Sequence, residues 1–416
     1  MFKYLKTKFT THSKVVENYF FMTFLQGASM LISVLLYPYL IRVLGAEVYG
    51  TYVFVFSNVQ IMNTFIAFGF TFPALKKISL FPTDKEQIRQ TVSAVFTAKC
   101  LLLLFTAMIM AILIFFIPFV REHIFLYGIV FVALLTDILF PAWYFQALQR
   151  MRFVTFVNIS IRLLTVPFIF IFIKEPADLL IYAFIVSVIP LLGSIFVLFY
   201  MRIKEKIKLS FVSLSELKIV FKDALPFFWT YALETIKDET VTFVIGTFFN
   251  MRDVALYDLA KKIVSIPRLM TANINRALFP NVIQNLQPQK IRKIIRYERF
   301  ISLIIIVLIV SSGYWLVALL GGKEMLPDSY IMTIMLSVSV YTWLIVGCYI
   351  NYLFVPQNHY YYVTKNQLVA LLSFLAMTTV ALLVHKSVII IVLAFSLSHI
   401  AEIIYCKYII KKEKML

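Results

Sequence analysis

No polar stretch of this 416-residue chain is long enough to build a soluble domain, which excludes a water-soluble catalytic or binding module. Cysteine is scarce. Cys100, Cys348 and Cys406 lie inside or at the ends of apolar runs, at neither metal-ligand nor disulfide spacing, so we expect small hydrophobes and no metal site. The five histidines are scattered: His12 in the N-terminal tail, His123, His359 and His385 near span edges, and His399 in the last apolar run. Motifs of soluble enzymes are absent, including the phosphate-cradling G-x-x-x-x-G-K-[ST], H-E-x-x-H and G-x-S-x-G, and no cofactor is implied. Acids are also few: 21 Asp and Glu stand against 39 Lys and Arg, a net charge of +18. Nucleic-acid binding would need those cations on one folded basic face, and none is available.

What is present is apolar length. Apolar residues make up 61% of the chain, above the roughly 45–50% of a soluble domain. A bilayer core about 30 Å thick takes roughly 20 apolar helical residues to cross. Twelve such runs occur, near 18–41, 49–72, 91–118, 123–146, 155–173, 179–201, 225–249, 254–280, 300–321, 329–355, 363–384 and 387–410. The basic segment Met1–Glu17 precedes a run too long for a signal-peptide core, so we expect that run to remain as the first span. Cations concentrate on alternate connections. With the N-terminus inside, the inner connections and tails carry 26 Lys and Arg, against six outside: Arg42, Arg121, Lys174, Arg252, Lys323 and Lys386. Cytoplasmic loops are the cation-rich ones, so both termini are expected in the cytoplasm. The architecture expected is all-α and polytopic. A cytoplasmic segment 1–17 leads into a six-helix bundle over 18–201, a linker over 202–224, a second bundle over 225–410 and a tail over 411–416. Prolines within or at the ends of spans (Pro38, Pro118, Pro141, Pro167, Pro190, Pro226 and Pro267) predict kinks.

Seven cations remain inside the spans: Lys99, Arg162, Lys237, Lys261, Lys262, Arg268 and Arg276. The seventh span also carries Glu234, Asp238 and Glu239, and the eighth Asp258. A charge at a helix centre facing lipid costs about 2.5–3.5 kcal/mol, so the four between Glu234 and Glu239 must face water or one another. Asp258, Lys261, Lys262, Ser265, Arg268, Asn275 and Arg276 recur at helical spacing and form one polar stripe. Two readings follow. The stripe lines a path for an anionic substrate, whose phosphate oxygens Lys and Arg match, with Arg268 the deepest cation. Alternatively, the seventh span clasps the eighth through ion pairs, Asp258 neutralising Lys262. Lys99 and Arg276 lie near enough to the inner surface to snorkel. Glu234, Asp238, Glu239 and Asp258 are candidates for ion coupling.

Several segments together resemble the Wzx-type polysaccharide flippases, the polysaccharide transporter branch of the multidrug/oligosaccharidyl-lipid/polysaccharide (MOP) superfamily. They are Gln26-Gly27; Tyr37-Pro38-Tyr39-Leu40-Ile41-Arg42-Val43-Leu44-Gly45 with Tyr49-Gly50; and Phe68-Gly69-Phe70 with Lys76-Lys77-Ile78. Pro141-Ala142-Trp143-Tyr144-Phe145-Gln146 with Met151, Thr155, Asn158 and Arg162 follows, then Tyr257 to Ile263 and Leu278-Phe279-Pro280. Ala147 stands where many relatives have glycine. The resemblance covers about two-thirds of the chain. It implies a MATE-like pair of six-helix bundles working by alternating access in a bacterial inner membrane. The substrate implied is a polyprenyl-pyrophosphate-linked oligosaccharide repeat unit, moved to the outer leaflet through a cationic cavity for O-antigen, capsule or exopolysaccharide synthesis. A polymerase and a chain-length regulator are the pathway partners implied. Arg162 and the Tyr257–Lys262 segment match family positions.

The rivals are a MATE-like exporter of small compounds and a membrane-embedded polymerase or ligase. The cationic stripe argues against an exporter of cations. The longest outer connection, about ten residues, leaves little room for an enzyme's acceptor site, so a non-enzymatic transporter is expected.

Overall fold

The computed structural model describes the backbone of residues 2–284, 288–357 and 359–415, and the side chains among them except at 2–16, 19 and 269–284. Every segment of regular structure there is helical. In a bilayer no water satisfies a backbone N–H or C=O, and a helix pairs each within its own segment.

The long helices are α1 (Phe2–Leu44), α2 (Ala46–Ala67), α3 (Thr71–Leu80), α4 (Lys85–Phe116), α5 (Ile124–Ala147), α6 (Met151–Phe172) and α7 (Leu179–Ile203). They continue as α8 (Leu214–Phe248), α9 (Met251–Gln284), α10 (Pro288–Gly321), α11 (Leu326–Phe354), α12 (Tyr360–Val384) and α13 (Val388–Lys412). Among the described residues, nine helical segments are long and apolar enough to cross a membrane, and the bent pair α2–α3 makes a tenth. Helices α8 and α9 have the length, at 35 and 34 residues, but carry the charges singled out above.

The boundaries follow local chemistry. Gly45 and Gly322 take positive φ at the α1–α2 and α10–α11 turns. The bend of 41° between α2 and α3 sits at Gly69 (φ +69°), where a Cβ would meet the backbone of Phe227 and Phe228. The second 49–72 run therefore continues past its expected end, as α3. Segment α5 is broken rather than continuous: its helical pieces Leu134–Leu139 and Ala142–Ala147 stop and restart at Phe140–Pro141. Pro38, Pro167, Pro190 and Pro226 lie within helices. The second half of the expected linker is helical, since α8 starts at Leu214. The preceding strip lies against α4, with Ser210 N and Val212 N donating to Ser93 Oγ and Thr97 Oγ1 (3.3 and 3.4 Å).

Two compact units result, Met1–Leu36 with Asn58–Ala232, and Tyr37–Ser57 with Leu233–Leu416. Residues 37–57, the end of α1 and the first half of α2, thus belong with the second unit. The first unit's core gathers Phe70, Trp143, Tyr144, Phe145, Met151 and Val197, so the Pro141–Gln146 segment builds packing. The Tyr144 hydroxyl and Arg150 reach the same carboxylate, Glu205, at 3.2 and 2.6 Å. In the second unit, Ile295, Tyr349, Tyr352, Phe354 and Cys406 form a core joining α10, α11 and α13.

Candidate functional site

Helix α9 is held from several sides. Its first turn is capped by Asn250, whose side-chain oxygen accepts from Asp253 N at 2.8 Å. Val254, Ala255, Leu256, Tyr257, Leu259, Ala260, Ile263 and Val264 are all buried. The carbonyls of Ala255 and Leu256 accept hydrogen bonds from the hydroxyls of Tyr37 and Ser329, both at 3.1 Å. Gly50 of α2 passes so close that a Cβ there would collide with the Met251 carbonyl. A helix apolar on most sides is fixed as core, and its charges are then forced onto the one remaining stripe.

Each described charge on that stripe has a partner. Lys262 pairs with Asp258 one turn back. The Tyr49 hydroxyl donates to Asp258 Oδ2 at 3.3 Å and accepts from Lys262 Nζ at 3.2 Å. The Lys262 ammonium also stands 5.1 and 5.7 Å from the ring centroids of Tyr37 and Tyr49, within cation–π range. Lys261 pairs with Glu239 of α8 at 3.1 Å. Arg268 lies 3.7 Å from Asp238 of α8 and 5.1 Å from the ring centroid of Trp343 on α11. These three cations are nevertheless 36%, 29% and 31% exposed. A cation that open at membrane depth is within reach of a ligand.

Lys237 points elsewhere. Successive helical residues are about 100° apart, so Lys237, Asp238 and Glu239 address different neighbours. The Lys237 ammonium donates to Glu402 Oε1 of α13 at 2.9 Å and to Gln367 Oε1 of α12 at 3.0 Å. Asn366 Nδ2 donates to Glu402 Oε2 at 3.1 Å, and Cys406 Sγ to Asn366 Oδ1 at 3.4 Å. The Lys237 and Glu402 side chains are only 4% and 5% exposed. This pair is sealed, and Lys237 does not join the open stripe.

The remaining candidates are placed as follows. Glu234 is exposed and forms no ion pair among the described residues. Arg162 lies on α6 in the first unit, half-buried and without a partner among the described residues. The side chains of Asn275 and Arg276 lie outside the described residues. Lys99 does not snorkel. It is buried in the first unit, 2.6 Å from Asp137 Oδ2 and 3.0 Å from the Asp137 carbonyl, because an acid in α5 is nearer than the surface. In the second unit's described network, Lys237, Lys261, Lys262 and Arg268 are matched by Glu402, Glu239, Asp258 and Asp238. The described cations of the α9 stripe are thereby offset by Glu239 and Asp238 of α8 and by Asp258 of α9 itself. Among the described residues no cluster of His, Cys, Asp and Glu could hold a metal ion.

Sequence reasoning missed Asp137, Glu402, Asn366, Gln367 and Trp343. For the two acids the signal was available: each interrupts an apolar run, as the in-span cations do.

A family model described as "Polysaccharide biosynthesis protein" matches residues 15–286. The chain belongs to this family. A protein named as an O-antigen transporter from Escherichia coli (strain K12) is 22% identical over 313 residues, 75% of each chain. Among solved structures, a lipid II flippase MurJ in an inward closed conformation superposes with a TM-score of 0.71. It is 13% identical and covers 95% of this chain and 87% of that one. An inward-facing MATE-family multidrug transporter of the MOP superfamily gives 0.69 at 12% identity, covering 91% and 97%. This member of the polysaccharide biosynthesis family is thus an integral membrane protein with the MOP transporter fold.

Proposed function

We propose that the chain is a flippase for polyprenyl-pyrophosphate-linked oligosaccharide repeat units, carrying them from the cytoplasmic to the outer leaflet of a bacterial inner membrane. The observation behind this reading is the row of partly open, carboxylate-paired cations on α9: Lys261, Lys262 and Arg268. Arginine and lysine bind phosphate as they bind carboxylate, the guanidinium in bidentate fashion. A pyrophosphate can therefore take the place of Glu239 and Asp238 as the partner of Lys261 and Arg268. Only differential affinity shifts a conformational equilibrium. Exchanging an internal carboxylate for a substrate phosphate breaks the α8–α9 clasp and supplies such a difference. Protonating Asp238 or Glu239 would release the same cations, which makes these two the candidates for coupling to protons. Lys237–Glu402, having no open side, holds α8 to α12 and α13 through the cycle. The bodies that would exchange access are the bundles expected over 18–201 and 225–410, with residues 37–57 moving with the second, and Arg162 would be a substrate contact on the first. A polymerase and a chain-length regulator would act on the delivered units.

The decisive experiment is lipid extraction and sugar analysis from cells lacking the chain, against cells carrying it. The expected result is accumulation of polyprenyl-pyrophosphate repeat units in the inner leaflet with loss of surface polysaccharide. Units that reach the outer leaflet and stay single would make the chain a polymerase or ligase instead. Orientation has its own test: a cysteine placed within 204–213 should resist a membrane-impermeant thiol reagent in intact cells, and ready labelling would invert the topology.

A further inference from the structure

A second cationic feature lies at the cation-rich end of the second unit and plays no part in the transport reading. The first three turns of α10 place Arg292, Ile295, Arg296 and Arg299 on one helical face, at the i, i+3, i+4, i+7 spacing. The last turns of α13 place Lys407, Ile410 and Lys411 on another. The two faces converge on one pocket of about 410 Å³. Ile295, Ile410 and Tyr349 are its buried side chains, and the Tyr349 hydroxyl accepts a hydrogen bond from the Arg299 guanidinium. None of the described lining residues is acidic. The acids nearest in sequence are not among its described lining. Glu298 is buried, Glu402 is held by Lys237 and Asn366, and Glu413 accepts from the Tyr362 hydroxyl at 2.7 Å.

Five cations in a concave site repel one another unless an anion joins them. The dimensions say which kind. Arg292 and Arg299 start about 10 Å apart along the helix, at 1.5 Å per residue, a row with room for two phosphates. Deeper along each helix the surface turns apolar and exposed, with Phe300 and Leu303 on α10 and Ile404 on α13. That is the surface acyl chains would cover. We propose that this pocket binds the headgroup of an anionic membrane lipid bearing two separated phosphates, its chains lying along α10 and α13. Basic pockets between spanning helices at the cytoplasmic surface suit such headgroups.

The test is native mass spectrometry of the full chain, delipidated in detergent and titrated with cardiolipin, phosphatidylglycerol or inorganic pyrophosphate. Cardiolipin should bind at least tenfold more tightly than phosphatidylglycerol. Each cation removed should weaken it about fivefold, so Arg296→Gln with Lys411→Gln should lose roughly 25-fold. Lys76→Gln with Lys77→Gln, on α3 of the other unit, should lose nothing. If the double variant does not insert, Arg292→Gln and Lys407→Gln, read singly, should each show the fivefold loss. Equal binding of the two lipids, or cardiolipin binding untouched by these variants, overturns the proposal. Displacement of cardiolipin by pyrophosphate at equal concentration overturns it too, and makes the ligand a soluble phosphate.

Discussion

The two buried lysines among the described residues are paired in different ways. In the first unit Lys99 is 4% exposed, but its partner Asp137 is 44% exposed, so one end of the pair reaches the surface. In the second unit Lys237 and Glu402 are both shut in, and Gln367 and Asn366 complete their hydrogen bonds. The open pairs on α9 form a third class, with cations about one-third exposed. The difference teaches which charges can change partner. A sealed pair loses desolvated charge stabilisation if it opens, whereas an exposed pair loses little. Function that needs exchange must therefore use the half-open cations, and the closed network serves the scaffold.

The strongest test of that contrast is Glu402→Ala. It leaves the Lys237 ammonium buried without its anion and should cost about 3–5 kcal/mol, read as a fall in the unfolding midpoint in detergent and in membrane abundance. Combining Lys237→Met with Glu402→Leu should recover most of the loss, since an apolar pair of similar size is often neutral. If Glu402→Ala unfolds like the unaltered protein, the sealed pair is no lock. Next in size is Gly50→Val, expected to cost about 1–3 kcal/mol through overpacking against Met251. Normal thermal stability of that variant would place α2 farther from α9. Lys99→Met should be milder, about 1–2 kcal/mol, because Asp137 can turn to solvent. A loss equal to that of Glu402→Ala would erase the distinction between the two buried lysines. Smallest in stability are Lys261→Ala and Arg268→Ala, each within about 1 kcal/mol. Their effect should fall on transport: surface polysaccharide should drop at least tenfold with normal insertion. Unchanged surface glycan would remove both from the substrate path.

Much of this arrangement was legible beforehand, and the failures share one cause. Run length and apolar content located the spans because a bilayer fixes how much helix must be apolar. The stripe from Asp258 to Arg268 was visible because its residues share one helix, and the Asp258–Lys262 pair needed only a spacing of four. The other partners lie far apart in sequence: Glu402 stands 165 residues from Lys237, and Asp137 38 from Lys99. No periodicity reports such distances. Lys99 was expected to snorkel because it lies near the inner surface, and the packing of α5 brings it Asp137 instead. The break at Pro141 was marked by residue type, whereas the bend at Gly69 was not foreseen and sits against the backbone of Phe227 and Phe228.

The membership of residues 37–57 in the second unit has a genetic consequence. Tyr37 and Tyr49, which secure the Ala255 carbonyl, Asp258 and Lys262, are encoded more than two hundred codons ahead of the α9 residues they accompany. No single cut in the gene separates the two units intact. A chain begun at residue 225 would lack its own aromatic cage and reach the membrane with α9 unfinished. Coexpressed fragments could supply it only if the N-terminal piece kept its first two helices. Recombination between relatives at the 202–224 linker would hand each hybrid an α9 secured by another protein's tyrosines, so α2 and α9 are expected to be inherited together.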